Sequence, residues 1–184
     1  ALCLAATTAN AVPISIDADG FTPGTILNNA FAGVTLSGVG SSTDGNVYAR
    51  SSSLASTGSN VFGNSSGFDP LWIPGGRALR MDILGGTDFV SVDIIGDDDN
   101  DSGTLRVFDI ANTLLANLTT ATLGAGDVET LSYSGAGIAY MLATGNGGDN
   151  VALDNIIYNG VPAPGALALM AIGAIGLRRG RRRL

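Results

Sequence analysis

The strongest constraint on the fold is an alternation of apolar and polar residues within short segments. Apolar side chains occupy every second position in 79–83, 90–94 and 138–142. A period of two places neighbouring side chains on opposite faces of a strand, so these segments predict half-buried strands. No segment between residues 12 and 160 shows a sustained helical period. Further strands are predicted at 33–37, 46–50, 104–110, 114–118, 128–133 and 151–158.

Glycine-rich clusters separate these strands. The chain has 27 glycines in 184 residues, about twice the usual ~7% share, which is typical of many tight turns. The number of segments predicts an all-β fold, an antiparallel β-sandwich of jelly-roll type with about nine or ten strands, and a closed barrel is the alternative. The Ser/Gly/Asn-rich stretch 51–66 predicts a long exposed loop. Turns are predicted at 85–87, 97–103, 124–126 and 145–150.

The charge of this β-rich region limits its partners. All 16 acidic residues but only four of the nine arginines lie in 12–160, so its formal charge is −12, and the chain contains no lysine. Such a surface repels nucleic acid and anionic membranes and favours divalent cations. The sequence therefore excludes a nucleic-acid partner. The region 12–160 is long enough to form one domain with its own core.

The C-terminal segment 161–184 has a different composition. The segment 161–177 contains Pro162 and Pro164 followed by an apolar run, and it would span ~26 Å as a helix, slightly less than a ~30 Å hydrocarbon core. We expect a hydrophobic transmembrane helix held by a cytoplasmic basic cluster. An ordinary C-terminal anchor is the alternative interpretation. The basic cluster comprises Arg178, Arg179, Arg181, Arg182 and Arg183.

This order of parts resembles the PEP-CTERM sorting signals that exosortases read in Gram-negative bacteria. The resemblance covers residues 161–183, and Ala163 stands where the usual motif has glutamate. It implies that Pro162 and Pro164 belong to a motif recognised by an exosortase-like enzyme. It also implies transient anchoring in the inner membrane, removal of the tail, and delivery to the cell surface or extracellular matrix. Proteins of this kind tend to accompany exopolysaccharide production.

The N-terminal segment 1–11 is consistent with export. Its first residues are typical of a late apolar region of a signal peptide, and Ala9-Asn10-Ala11 fits the small-x-small cleavage rule. We therefore expect a cut after Ala11, and the alternative is a first strand beginning near Leu2. Cys3, the only cysteine, would be removed with this segment. A disulfide-free exported domain relies on its core and on bound metal.

Two groups of aspartates are candidate calcium ligands. Asp97, Asp99 and Asp101 alternate in an acidic loop whose oxygens could converge on one ion, although the loop does not match the EF-hand pattern, and a solvated hairpin turn is the alternative. Asp17 or Asp19 together with Asp154 forms the second candidate. In lectin-like jelly rolls, which this region loosely resembles, the first and last strands lie side by side and share a structural Ca²⁺. Capping of turns and strand edges is the alternative for this group.

Trp72 is the candidate ligand-binding residue. It is the only tryptophan, and the flanking prolines and glycines predict a loop or short edge strand that presents the ring to a sugar. The alternative is that Leu71-Trp72-Ile73 plugs the end of the sandwich.

Catalysis has little support in this composition. The chain has no histidine, no lysine and one glutamate, which excludes Ser-His-Asp and Cys-His nucleophiles, histidine zinc sites and Schiff-base chemistry. The sequence therefore predicts an exported, surface-sorted β-sandwich of the extracellular polysaccharide matrix, which binds carbohydrate or is structural and is stabilised by Ca²⁺. The alternative is an adhesion or matrix protein without sugar specificity. A third possibility is a glycosidase that uses two aspartates.

Overall fold

The structure is a computed structural model that describes residues 12–64, 70–73 and 75–160. The described residues form an all-β fold of nine strands in which every strand pair is antiparallel, as predicted. The expected signal segment and C-terminal helix lie outside these residues. No helix in the described ranges is long and apolar enough to span a membrane. The strands are β1 (Val12–Ile16), β2 (Val34–Val39), β3 (Tyr48–Ser51), β4 (Asn60–Gly63), β5 (Ala78–Gly96), β6 (Gly103–Phe108), β7 (Leu114–Thr119), β8 (Val128–Gly145) and β9 (Val151–Gly160).

The long strands β5 and β8 build both layers of the sandwich. Their pairing shifts register twice between Asp82 and Phe89, where Gly85 and Gly86 have φ values of 82° and 75°. The predicted turn at 85–87 is therefore wrong, because the glycines bend one continuous strand. The first sheet contains, in order, β2, the early part of β5, the late part of β8, β6 and β7. The second sheet contains the early part of β8, the late part of β5, β9, and then β1, β4 and β3.

The alternating apolar residues fill the space between the sheets. In β5 the side chains of Leu79, Met81 and Ile83 are buried while Arg80 and Asp82 are half-exposed. This confirms the period-two prediction for 79–83. In 90–94 all five residues are buried, so the predicted half-buried strand is wrong there. In 138–142 the predicted core face is also wrong, because Met141 is fully buried and Leu142 is half-exposed. Each fully buried side chain of this size contributes roughly 1.5–3 kcal/mol through loss of apolar surface from water. Other fully buried side chains are Leu27, Leu36, Phe62, Ile94, Leu105, Ile138, Met141 and Leu153.

The stretch predicted as an exposed loop, 51–66, contains a buried strand. All four residues of β4 are buried, and β4 pairs with β3 and β9. Leu54 and Ala55 pack over a small second cluster formed by Val61, Ile95 and Ala152 on the outer side of the second sheet. Because both faces of β4 are covered, the strand shows no alternation and its sequence does not distinguish it from a loop.

The two ends of the described chain lie together. β1 pairs with β9 from Val12 opposite Gly160 to Ile16 opposite Ile156, the side-by-side arrangement expected for the first and last strands. The acidic loop after β5 leads into β6, and these two strands do not pair with each other. It therefore connects the second sheet to the first and is not a hairpin turn, which was the alternative interpretation of this loop.

Candidate functional site

The outer surface of the first sheet carries polar side chains in cross-strand rows. In the central row, Ser37 lies opposite Arg80, Arg80 opposite Leu142, Leu142 opposite Arg106, and Arg106 opposite Asn117. Adjacent strands are about 4.8 Å apart, so this row crosses five strands in roughly 19 Å. We call this surface, formed by the central row and its two neighbours, the polar face. The neighbouring rows are Thr35, Asp82, Tyr140 and Phe108 on one side and Val39, Ala78, Thr144, Thr104 and Thr119 on the other.

Two cavities open on the polar face. The larger has a volume of about 610 Å³ and the smaller about 470 Å³. The larger lies over the row that contains Asp82 and Tyr140, and the loops at Asn29 and Asn112 form its walls. The smaller extends over the opposite row to the turn at Asn146. Both cavities are open to solvent.

A stacked column of side chains stiffens the larger cavity. Arg80 Nε donates to both carboxylate oxygens of Asp82 at 3.0 and 2.8 Å, and Nη2 donates to Oδ1 at 2.6 Å. This hydrogen bonding raises the pKa of Arg80 above its ordinary value. The guanidinium carbon lies 3.9 Å from the centroid of the Tyr140 ring, and Phe108 stacks on Tyr140 at 4.7 Å. Tyr140 also donates its hydroxyl hydrogen to Asn112 Oδ1 at 3.1 Å.

The smaller cavity differs in its charge. Arg77 and Arg106 line it, and no aspartate or glutamate of the described part of the chain does. Within the described ranges, the half-exposed side chain of Arg106 makes no hydrogen bond or salt bridge. Thr144 Oγ1 donates to the main-chain carbonyl oxygen of Arg77 at 2.7 Å, which fixes one wall.

The cavities concentrate the few positive charges of the acidic domain. Three of the four arginines in 12–160 line them, but among the acidic residues that the structure describes only Asp82 does so. Sequence reasoning missed this site. The signal was present, because Arg80 and Arg106 occupy the outward positions of alternating strands. The register that places them in one row is visible only in the folded sheet.

The prediction that Trp72 binds ligand from an exposed position is wrong. Its side chain is fully buried, and its indole Nε1 donates to the Phe62 carbonyl oxygen at 2.7 Å. Its backbone forms an isolated bridge with Val151, so the ring closes the end of the sandwich. The alternative interpretation, a plug, is therefore confirmed for Trp72. An indole with one polar atom is stable in a core when that N–H has an acceptor.

Asp154 lies in a buried polar cluster on the second sheet. Its Oδ2 accepts hydrogen bonds from the backbone N–H and hydroxyl groups of both Ser56 and Thr57 at 3.0 to 3.2 Å. Burial raises the pKa of the Asp154 carboxyl above its ordinary value, and these hydrogen bonds oppose that effect. Its Oδ1 is buried and has no hydrogen-bond partner among the described residues.

Asp93 is a second buried carboxylate in this cluster, and sequence reasoning placed it on the polar side of a half-buried strand. It lies opposite Asp154 in the β5–β9 pairing and is 6% exposed. Asp93 Oδ2 accepts from Ser56 Oγ at 2.8 Å, and Oδ1 accepts from Thr130 Oγ1 at 2.6 Å. The single hydroxyl hydrogen of Ser56 therefore lies between two carboxylates. The loop that contains Ser56 covers this part of β5, which explains the unexpected burial.

The other predicted calcium ligands act as local acceptors. Asp17 Oδ1 accepts from the backbone N–H of Asp19, and Asp19 Oδ1 accepts from the N–H groups of Ser59 and Asn60. Asp19 and Asp154 thus bind neighbouring parts of the same loop, 56–60. Capping, the alternative interpretation, describes these contacts.

The acidic loop likewise uses one of its aspartates to form a turn. The buried Asp101 accepts with Oδ2 from the N–H groups of Asp97 and Asp98 at 2.6 and 2.8 Å, and the side chain of Asp99 is exposed. In the parts of the chain that the structure describes, no three His, Cys, Asp or Glu side chains are grouped so that they could hold a metal ion.

Comparison with known proteins identifies no family. No protein-family model matches the sequence, and no curated protein does. Among solved structures, the K2 cleaved adhesin domain of Lys-gingipain is similar, with 17% identity over 81% of this chain and 100% of that chain and a TM-score of 0.49.

Two further structures show the same distant likeness. The K3 cleaved adhesin domain of Lys-gingipain from Porphyromonas gingivalis W83 has 11% identity over 71% of this chain and 93% of that one, with a TM-score of 0.39. A family 6 carbohydrate-binding module has 14% identity over 80% and 94% of the two chains, with a TM-score of 0.34. At these identities and TM-scores, the comparisons carry no argument about the function of this chain.

Proposed function

We propose that this chain is a non-catalytic β-sandwich that binds carbohydrate on its polar face, as an exported component of an extracellular polysaccharide matrix. The observation that carries the proposal is the pair of adjoining cavities on one open sheet surface. Sugars are recognised by many directional hydrogen bonds together with contacts to flat apolar groups. The polar face supplies the hydrogen-bonding groups.

The larger cavity provides the hydrogen-bonding groups in fixed positions. Asn29 and Asn112 supply amide groups, and Thr35 supplies a hydroxyl group that points from an exposed position of β2. The ion pair and ring stacking that hold Arg80, Asp82 and Tyr140 in place limit the side-chain entropy lost when a ligand binds. Trp72 has no part in this proposal.

Blocking the larger cavity tests the proposal. Thr35→Trp places a bulky ring on the polar face, whereas Thr122→Trp adds the same ring at an exposed loop position that lines neither cavity. We expect the 184-residue chain to bind at least one polysaccharide on a glycan array and in affinity electrophoresis. Thr35→Trp should abolish this binding and Thr122→Trp should preserve it. Equal binding by both variants would exclude the polar face as the site.

We also propose a structural Ca²⁺ ion at Asp154. The buried Oδ1 of Asp154, which lacks a hydrogen-bond partner among the described residues, is an oxygen that a cation would satisfy. Asp93 supplies a second carboxylate, and Ser56 and Thr57 supply hydroxyl oxygens in the same cluster. EDTA should lower the melting temperature of the wild type by several degrees and that of Asp154→Asn by less. Identical melting of the wild type with Ca²⁺ and with EDTA would exclude the ion.

Export and surface sorting remain a proposal that the terminal segments support. The Pro162 and Pro164 motif with its apolar run and arginines would direct processing by an exosortase-like enzyme. Mass spectrometry of the mature protein should then find no peptides from 166–178. Recovery of those peptides from the cell surface would contradict processing.

A further inference from the structure

We propose that the polysaccharide is acidic, and that the carboxylate of a uronic acid unit is held by Arg106 in the smaller cavity. This inference rests on the proposed function and specifies its ligand class. The supporting observation is that the two cavities differ in charge. The net charge of the whole domain does not reveal this difference.

The two cavities are electrostatically different. In the larger cavity, Asp82 neutralises Arg80 through three donor–acceptor contacts, so this part of the polar face suits neutral hydroxyl groups. The smaller cavity contains Arg77 and Arg106, and none of the acidic residues in 12–64, 70–73 and 75–160 lines it. A chain laid along both cavities would therefore meet a neutral section and then a positive one.

Arg106 has the properties of an anion-binding residue. It is half-exposed, lies between Leu142 and Asn117 in the sheet, and has no hydrogen-bond or salt-bridge partner within the described ranges. The planar fork of a guanidinium matches the two oxygens of a carboxylate, and such charge-assisted hydrogen bonds are about twice as strong as neutral ones. Asn117 and Thr104 lie beside it and can bond the hydroxyl groups of the same sugar unit.

The acidic remainder of the domain does not prevent this binding. At physiological salt the Debye length is about 8 Å, so distant carboxylates contribute little at Arg106. Asp149 is connected to the cavity through Ser102 and Asn146, and its Oδ2 already accepts two hydrogen bonds from Ser102. A local positive site within a negative domain also restricts binding to ligands that reach the cavity.

The experiment compares polygalacturonate with the same polymer after reduction of its carboxyl groups. The 184-residue chain is titrated with both polymers and with dextran sulfate as the source of a different anion. Arg106→Gln removes the positive charge. Asp82→Asn releases Arg80, and Asp98→Asn makes the same change of charge at an exposed loop position outside the cavities. Melting curves confirm that each variant is folded.

We expect polygalacturonate to bind more tightly than the reduced polymer, with an affinity that falls as salt rises. Arg106→Gln should weaken polygalacturonate binding by about tenfold or more, the effect of losing one charged hydrogen bond. Asp82→Asn should strengthen it severalfold, and Asp98→Asn should leave it unchanged. The reduced polymer should be insensitive to Arg106→Gln.

Three results would overturn the inference. Equal affinity for the two polymers would exclude an acidic ligand and leave carbohydrate binding intact. Binding of dextran sulfate without polygalacturonate would assign the site to sulfate esters. Unchanged affinity of Arg106→Gln for polygalacturonate would exclude Arg106 as the anion ligand. By contrast, failure of the wild type to bind any glycan would remove the proposed function itself.

Discussion

Replacing Trp72 should impair folding and leave ligand recognition unaffected. Trp72→Ala removes a fully buried side chain and its hydrogen bond to the Phe62 carbonyl. Truncation of a core aromatic costs about 3–5 kcal/mol. A lost internal hydrogen bond adds about 1 kcal/mol, for a total of about 4–6 kcal/mol. Trp72→Phe keeps a ring in the cavity and loses mainly the indole N–H, so we expect a cost of about 1–2 kcal/mol.

Urea unfolding followed by far-UV circular dichroism measures these differences. Trp72 is the only tryptophan, so its fluorescence does not provide a signal common to all variants. With a denaturant dependence of about 2 kcal/mol per M, Trp72→Ala should lower the urea midpoint by about 2–3 M. Trp72→Phe should lower it by less than about 1 M and retain polysaccharide affinity. An unchanged midpoint in Trp72→Ala combined with loss of glycan binding would refute the buried-plug interpretation.

Other predictions concern acidic groups and glycines. The raised pKa of Asp154 means that folding favours its protonated form, so its contribution to stability is complete below the ordinary pKa of 3.8 and is lost as pH rises through the raised value. Melting temperatures in EDTA should show this decline in the wild type but not in Asp154→Asn, and parallel curves would exclude Asp154 as its source. Gly58→Ala should destabilise the fold by about 1–3 kcal/mol, because Gly58 has φ +53° and an added Cβ would lie 2.1 Å from the Asp19 carboxylate. Gly20→Ala is its control, since nothing lies within 4 Å of that Cβ.

The sequence predicted the parts of the fold that depend on local pattern. Strands with one buried face, such as the early part of β5, show the period of two that the sheet imposes. Strand β4 escaped prediction because the loop 52–59 covers its outer side, and burial on both faces removes the alternation. The bend at Gly85 and Gly86 was predicted as a turn because glycines with positive φ values occur both in turns and in strand bends. Only the pairing with β8 shows that these glycines bend one strand and do not separate two.

The candidate site was less accessible to sequence reasoning than the fold. Arg80 and Arg106 are 26 positions apart in sequence, and they meet in one row because both lie opposite Leu142 in the sheet. Likewise, Asp93 and Asp154 become neighbours only through the β5–β9 register. A lone tryptophan stands out in the composition of the chain, but composition does not show whether a side chain is buried.

The acidic composition reflects how this fold is built. At least nine carboxylates accept hydrogen bonds from backbone N–H groups of turns and loops, which would otherwise lack partners. A fold of nine strands joined by such connections thus accumulates aspartates for structural reasons, and its net charge of −12 does not describe any one surface. Arg80 and Arg106 lie where strands present side chains to the open side of the first sheet. The net charge of the domain alone therefore does not decide which ligands the polar face binds. The nine residues are Asp17, Asp19, Asp44, Asp101, Asp109, Asp127, Glu129, Asp149 and Asp154.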